Sequence, residues 1–274
     1  MPKTNAQAEP AAAAPASGPI ERSLRILEAL AAEPEGLPLA ALADDLALPR
    51  SACHRLLTEL ARCGYVRQVR EHGDYALTTK LPAIGLSFLS AAGVVDLAQP
   101  ILDRLAAASG ELVRLALVDG DRLTFVAKAQ GARSGLRYDP DMGLDVPLSC
   151  SAGGHAWLMT LSEERATELV ARQGFAAPAA YGPKAPTTFK ALMKLLAEDR
   201  HRGFSMMCEM YAPGMSALAA PVLRRREAIA VITIAGPLLR LTPTRMQELG
   251  RPLVAAAAEL ALGSVASPMF TRRA

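Results

Sequence analysis

Aromatic residues make up only 4% of this 274-residue chain, with a single Trp, which rules out cores built on stacked rings. Hydrophobic residues reach 51%, much of it Ala, so packing is expected to rest on Leu, Val, Ala and Met. Four cysteines, Cys53, Cys63, Cys150 and Cys208, have no paired spacing and no C-x-x-C or His/Cys cluster, so neither a disulfide framework nor a metal is expected. A reduced, cytoplasmic setting follows. No apolar run is long enough to span a bilayer, because Arg, Asp or Glu interrupts every candidate. Residues 1–19, rich in Ala and Pro, lack a basic segment followed by an apolar core and are expected to be a disordered tail rather than a signal peptide. Residues 266–274 are expected to form a second short tail. The formal net charge of +3 is too mild to imply nucleic acid by itself.

The order of elements is more informative. Between residues 37 and 77 the chain reads as helix, tight turn, helix and two-stranded ribbon, the plan of a winged helix-turn-helix that lays one short helix in the major groove of DNA. Ala40, Ala43 and Leu46 line the inner face of the first helix, and Leu48-Pro49 closes the turn, since proline suits a helix start. The second helix begins at Arg50. Leu56, Leu57, Leu60 and Ala61 recur at helical spacing and face inward, leaving Arg50, Ser51, His54, Arg55 and Thr58 outward as hydrogen-bonding side chains near the helix start. Gly64 ends this helix. Tyr65-Val66 and Tyr75-Ala76-Leu77 flank a charged loop in which Gly73 can take the positive φ of a hairpin turn.

The charge pattern agrees. Glu21, Glu28, Glu33, Glu35, Asp44 and Asp45 precede the turn and outnumber Arg22 and Arg25 there, whereas Arg50, Arg55, Arg62, Arg67 and Arg70 follow it, opposed by Glu59. The basic half coincides with the reading helix and the first wing strand, as phosphate neutralisation requires. Ile20, Leu24, Leu27 and Leu30 mark an opening helix packed beneath.

Residues 81–97 are strongly apolar, with Ile84, Leu86, Phe88, Leu89 and Val94, and are expected to form a linker helix that pairs with a second copy or packs between domains. Residues 101–109 read as a helix ended by Gly110. Strands are expected at 112–118 and 123–127 around an Asp119-Gly120 turn, then an irregular stretch over 131–147. Helices are expected at 151–161, after Ser162, and from Thr187-Thr188 to Gly203. Three strands follow at 204–210, 215–223 and 228–235, the last β-branched enough to belong at a sheet centre. Thr242-Pro243 opens a final helix. The fold class is α+β, with an N-terminal winged helix-turn-helix over 20–80 and an antiparallel sheet flanked by helices over 98–265.

The blocks ERSLRILEAL (21–30), LPRSACHRLLTELARCGYV (48–66), VPLSCSAGGHAWL (146–158), GMSALAAPV (214–222) and ITIAGPLLRLTP (232–243), in this order, resemble the IclR-type bacterial transcriptional regulators over residues 20–263. The resemblance implies a dimerising linker helix and a GAF-like C-terminal domain that binds a small organic effector, often a carboxylate or an aromatic catabolite. It also implies a homodimer or dimer of dimers on a partly palindromic operator in double-stranded DNA, near its own promoter or a catabolic operon. Arg50, Ser51, His54 and Arg55 match the family's polar reading positions. Arg55 is the first choice for a base contact, because a guanidinium bonds both acceptors of a guanine edge. Arg50 and Ser51 suit phosphate or base, Arg67 and Arg70 phosphate or minor groove, and Arg22 and Ser23 a phosphate at the first helix's start. Arg62 and Arg67 can instead pair with Glu59 or Glu71, and His54 can be a capping or packing residue.

The effector positions depart from the commonest family pattern: Met206, Met207 and Cys208 precede Glu209, Ala217 stands where Cys or Ser is frequent, and Ser149 where His is frequent. Fewer polar groups favour a larger or more apolar ligand. Candidates are Ser149, Ser151, Ser216 and Thr233, the amides of Gly153 and Gly154, Ala217, and the adaptable Met142 and Met207. No cofactor, metal or catalytic residue is expected. A constitutive DNA binder without effector is the alternative, and an enzyme using Cys150, Ser151 and His155 is disfavoured because SAGGH is not a G-x-S-x-G elbow and no orienting acid follows.

Overall fold

Helix starts fall where the side chains can cap them. In the computed structural model, which describes residues 18–69, 73–140, 145–175 and 181–264, the hydroxyls of Ser151, Ser162, Thr188 and Thr242 each accept the amide three residues on and open α6, α7, α8 and α9. The chain divides into two compact units between Ala91 and Ala92.

The N-terminal unit runs α1 (Pro19–Ala32), α2 (Leu39–Asp45), α3 (Arg50–Arg62), β1 (Val66–Gln68), β2 (Tyr75–Leu77) and α4 (Lys80–Ala92). Its core gathers Ile26, Leu27 and Leu30 of α1, Leu42, Ala43 and Leu46 around α2, and Cys53 and Leu57 of α3. Three expectations shift by part of a turn. Leu42 joins Ala43 as a buried residue of α2 while Ala40 is half-buried, Ala61 is exposed, and Ile26 replaces Ile20 and Leu24, which are 77% and 53% exposed. In each case the inner stripe follows the 3.6-residue period from the best-packed side chains, and the residues at its margin stay partly or largely exposed. The turn between α2 and α3 places Ala47 at φ 51°, a left-handed conformation with no glycine to ease it. β1 and β2 pair antiparallel with Val66 opposite Leu77, and Leu37 bridges Tyr75 on the ribbon's other edge. Gly36 is required there, since a Cβ would sit 2.7 Å from the Tyr75 carbonyl oxygen.

The C-terminal unit runs α5 (Val94–Ser109), β3 (Leu112–Asp119), β4 (Arg122–Gln130), α6 (Ala152–Leu158), α7 (Glu163–Gln173), α8 (Phe189–Arg202), β5 (Ser205–Cys208), β6 (Met215–Arg224), β7 (Glu227–Pro237) and α9 (Pro243–Gly263). The strands form one antiparallel sheet in the order β4-β3-β7-β6-β5. The β-branched run of β7 is central, as its composition implies. Alternation splits the sheet into two apolar faces. Leu115, Ile232, Ile234 and Leu218 pack with α5 and α9, whereas Ala116, Val231, Ala219 and Met207 pack with α6, α7 and α8.

The apolar run over 81–97 is not one helix. Gly93 takes a left-handed φ of 63° and separates α4 from α5. α5 also starts before Pro100 and runs through it, because Val94, Ala98, Ile101, Leu102 and Leu105 are buried along one face, and this packing outweighs the backbone bond that proline removes. Among the described residues no single helix is long and apolar enough to cross a membrane. Of the expected tails, only Gly18 and Pro19 are described, and Pro19 already belongs to α1.

Candidate functional site

The outer face of α3 carries a row of polar groups. Arg50, Ser51, His54, Arg55 and Thr58 are all exposed, whereas Cys53 and Leu57 between them are buried. Pro49 stands at the N-cap and no side chain caps this end, so the positive end of the helix dipole is open to an anion. The other end is closed by Lys80, a residue the sequence reading did not single out. Its Nζ donates to the Cys63 carbonyl at 2.7 Å and lies 4.7 Å from the centre of the Tyr65 ring. Arg62 donates to Glu59 Oε2 through Nε (3.0 Å) and Nη2 (2.8 Å), the pairing that was one of its open alternatives. Arg67 is exposed on β1. Arg70 and Glu71 lie outside the described residues. On α1, Arg22 is half-buried and Ser23 donates to the Pro19 carbonyl at 2.9 Å, so this hydroxyl is already engaged within its own helix. Thr58 likewise donates to the His54 carbonyl at 2.9 Å.

The second site is a cleft of about 720 Å³, mouth included, on the α6 side of the large sheet. Its floor is the sheet, from which Met207, Ala217, Thr233 and Ala235 border the cavity. Ala152 and Gly153 of α6 form one wall, Met210, Tyr211 and Met215 another, and Tyr138 and Pro140 approach from the segment after β4. Of the effector candidates, Ser151, Gly153, Met207, Ser216, Ala217 and Thr233 border the cleft, Ser149 and Gly154 do not, and Met142 lies outside the described residues.

Several polar candidates are occupied by the fold itself. Ser151 Oγ donates to the Pro147 carbonyl at 2.5 Å and accepts the Gly154 amide at 3.0 Å, so the Gly154 amide is already used as a helix cap. Thr233 Oγ1 turns toward the Arg114 carbonyl at 3.5 Å. Ser216 alternates with Met215 and Ala217 on β6, so its buried hydroxyl, which has no hydrogen-bond partner among the described residues, faces the other side of the strand. The wall over 146–150 is held from outside the cavity. Gln173 accepts the Leu148 amide at 2.7 Å and donates to the Val146 carbonyl at 3.0 Å. Behind it, His155 Nδ1 lies 3.1 Å from Asp199 and Nε2 lies 2.9 Å from the Ser149 carbonyl, and Asp199 also accepts from Arg202 at 2.8 Å. Cys150 is fully buried and its thiol is pushed up to about 12 by desolvation, which removes the thiolate a nucleophile needs. Ser151 and His155 therefore have their polar atoms engaged by the helix cap and the wall, and Cys150 is held as a buried neutral thiol.

The residue that sequence reasoning missed is Arg114. It sits on β3 between Lys128 of β4 and Thr233 of β7, only 9% exposed, with its guanidinium carbon 3.7 Å from the centre of the Phe125 ring and 6.0 Å from that of Tyr138. Its Nε has no hydrogen-bond partner among the described residues. Burial lowers its pKa, opposed by Tyr138 and Tyr211. Burial likewise pushes Tyr138 up to about 12 and raises Tyr211, so both phenols are neutral hydrogen-bonding groups. The available signal was one charge in an otherwise apolar strand, LVRLALV, because a buried polar residue is more informative than an apolar one.

Two families match the chain: "IclR helix-turn-helix domain" over residues 19–70 and "Bacterial transcriptional regulator IclR C-terminal" over 86–262. The transcriptional repressor IclR of Escherichia coli is 35% identical over 256 residues, 92% of each chain. The acetate operon repressor of Salmonella typhimurium is 33% identical over 267 residues, 96% of each. Among solved structures, an IclR-type regulator from Alicyclobacillus acidocaldarius aligns with TM-score 0.78 at 23% identity, over 90% of this chain and 98% of that one. An IclR homologue from Microbacterium hydrocarbonoxydans complexed with 4-hydroxybenzoate aligns with TM-score 0.75 at 21% identity, over 91% and 100%. Helix-turn-helix, helix-flanked antiparallel sheet and sequence thus agree, and the chain belongs to the IclR family of bacterial transcriptional regulators.

Proposed function

We propose that this regulator controls a catabolic or metabolic operon by binding a partly palindromic operator through α3, and that a small organic acid in the cleft of the C-terminal unit changes its affinity for that operator. The observation that carries the DNA half is the separation on α3 of an exposed row, Arg50, Ser51, His54, Arg55 and Thr58, from the buried Cys53 and Leu57. Arg55 suits a guanine edge, and Arg50, Ser51 and the uncapped helix start suit phosphate. Arg67 on the wing suits phosphate or minor groove.

Operator two-fold symmetry calls for two copies, with reading helices about one turn of DNA apart. Helix α4 supplies a surface for pairing, since Ile84, Leu86 and Phe88 are 49%, 67% and 54% exposed within one chain. Dimer and dimer of dimers are both compatible with it. The 4-hydroxybenzoate of the Microbacterium homologue supports an organic acid as effector, as does the mixture of apolar and polar cleft walls. The protein acts in the cytoplasm, without catalysis.

The test is binding to DNA flanking the coding sequence at fixed salt, with and without aromatic and aliphatic carboxylates. Sequence-specific binding that one acid changes several-fold is expected. Specific binding indifferent to every acid would favour the constitutive reading, and no preference over random duplex would overturn the operator assignment.

A further inference from the structure

The cleft holds a buried cation that has no ion-pair partner among the described residues, since the carboxylate that borders the cleft, Asp145, faces Arg122 at 3.6 Å. Arg114 is nine-tenths buried, yet no ion pair of its guanidinium occurs among the described residues. Asp139, whose field reaches it, is itself paired with Lys128 at 2.6 Å. A buried guanidinium normally takes a carboxylate or several acceptors, because water is absent and five N–H donors must be satisfied. Here the ring of Phe125 covers one face of the guanidinium and supports its charge, the Tyr138 hydroxyl approaches it as a hydrogen-bond partner, and the Nε side of its in-plane N–H edge has no partner among the described residues. The orphaned Nε lies on that edge. Nε–H and a neighbouring Nη–H form the parallel pair of donors that matches the two oxygens of a carboxylate.

The surroundings specify the rest of the ligand. Tyr138 and Tyr211, both neutral, border the same cleft and offer hydroxyls near the charge. Beyond them the walls are Met207, Met210 and Met215 with Ala152, Ala217 and Ala235. Thioether side chains shape themselves around an apolar body, and small alanines leave it room. A two- or three-carbon acid would leave these walls facing water, and a neutral apolar molecule would leave Arg114 unpaired.

We propose that Arg114 is the anion anchor of this site, taking side-on the carboxylate of an aromatic or comparably broad apolar acid whose body lies against the methionines. The proposal rests on the effector reading above and adds to it the residue that decides charge selectivity.

The experiment uses the full chain and three acids, benzoate, phenylacetate and octanoate, each beside its primary amide, with calorimetric titration and thermal unfolding as readouts. At least one acid should bind the parent protein, with its amide roughly ten- to hundredfold weaker, the range for hydrogen bonds to a charged group. Arg114→Met should abolish that preference while leaving amide binding unchanged or tighter. It should also leave the ligand-free protein as stable or more so, because it removes an unpaired buried charge, whereas a merely structural arginine would lower the melting temperature when lost. Arg114→Lys should retain part of the preference, keeping the charge without the fork.

Equal affinity for acid and amide in the parent would overturn the anchor and leave the effector cleft standing, as would parent-like acid binding by Arg114→Met. The acid–amide comparison needs no variant to fold. If neither acids nor amides bind the parent at millimolar concentration, the effector reading fails and the anchor with it.

Discussion

Gly154 and Gly153 are adjacent on α6, and adding one methyl group to each should give opposite results. A Cβ at Gly154 would lie 2.4, 2.5 and 2.8 Å from the O, Cα and C of Leu148, all backbone atoms of the wall over 146–150. That wall cannot retreat freely, because Gln173 holds it at Leu148 and Val146 and His155 holds it at the Ser149 carbonyl. Overpacking against immobile backbone costs about 3 kcal/mol, the upper end for an inserted carbon in a packed interior. In a domain of this size 1 kcal/mol moves the midpoint by about 2–4 °C, so Gly154→Ala should lower the melting temperature of the C-terminal unit by roughly 6–12 °C. At Gly153 the new Cβ would meet Thr233 Cγ2 at 3.3 Å and side-chain methyls of Leu123 and Val146 at 3.7 Å. These can give by tenths of an ångström, and Ala gains up to about 1 kcal/mol of helix propensity, so Gly153→Ala should melt within about 4 °C of the parent. Gly153 borders the cleft, so its methyl should weaken effector binding although the fold is intact. Scanning calorimetry of the full chain reads both variants. If Gly154→Ala melts with the parent, the wall is mobile and the account of a rigid cleft is wrong.

Three further outcomes concern the N-terminal unit. Arg55→Ala should reduce discrimination among operator variants by about 1–3 kcal/mol per half-site if the contact is bidentate, measured by competition at fixed salt; unchanged specificity would move the reading register along α3. Arg67→Ala should weaken all duplexes alike and lower the slope of log affinity against log salt by roughly one, and a sequence-dependent loss would refute a phosphate contact. Ala47→Gly should stabilise the unit by about 0.5–1 kcal/mol, the relief of a left-handed alanine less the extra chain entropy of glycine, and a lower melting point would show that the methyl is packed.

What could be read beforehand follows the range of the forces involved. Ser162, Thr188 and Thr242 bond amides three residues away, and Gly203 stops α8 with a left-handed φ of 84°, so local sequence contains the whole cause of those helix ends. The exposed row on α3 and the central place of β7 follow from periodicity and β-branching in the same way. Residues 20 and 24 fit the apolar period of α1 as well as Ile26 and Leu27 do, and only the positions of α2 and α3 decide which stripe is covered. At the cleft, Arg114, Phe125, Tyr138 and Tyr211 come from four separate segments, and no spacing rule joins them. Ser151 was a fair candidate by type, but its hydroxyl is spent on Pro147 and Gly154, and such pairing becomes visible only when the loop is folded.

The described lining of the cleft lies within the unit that begins at Ala92, and α3 within the unit that ends at Ala91. An effector can therefore act on operator affinity only through its differential affinity for two states of the whole chain, whatever its total affinity. If the carboxylate anchor is the contact that differs, hydrogen bonds to a charged group contribute about 1.5–3 kcal/mol, a factor of roughly 10–150 in operator affinity per protomer. Linkage then requires a reciprocal effect of equal size: saturating operator must change the affinity for effector by the same factor that saturating effector changes the affinity for operator. Fluorescence anisotropy on labelled operator gives one factor and calorimetric titration of the preformed DNA complex gives the other. Equal factors within error, both reduced toward one in Arg114→Met, are the expected result. Unequal factors in a closed cycle would mean a third linked process, such as a change of oligomer on DNA, and would refute a simple two-state switch.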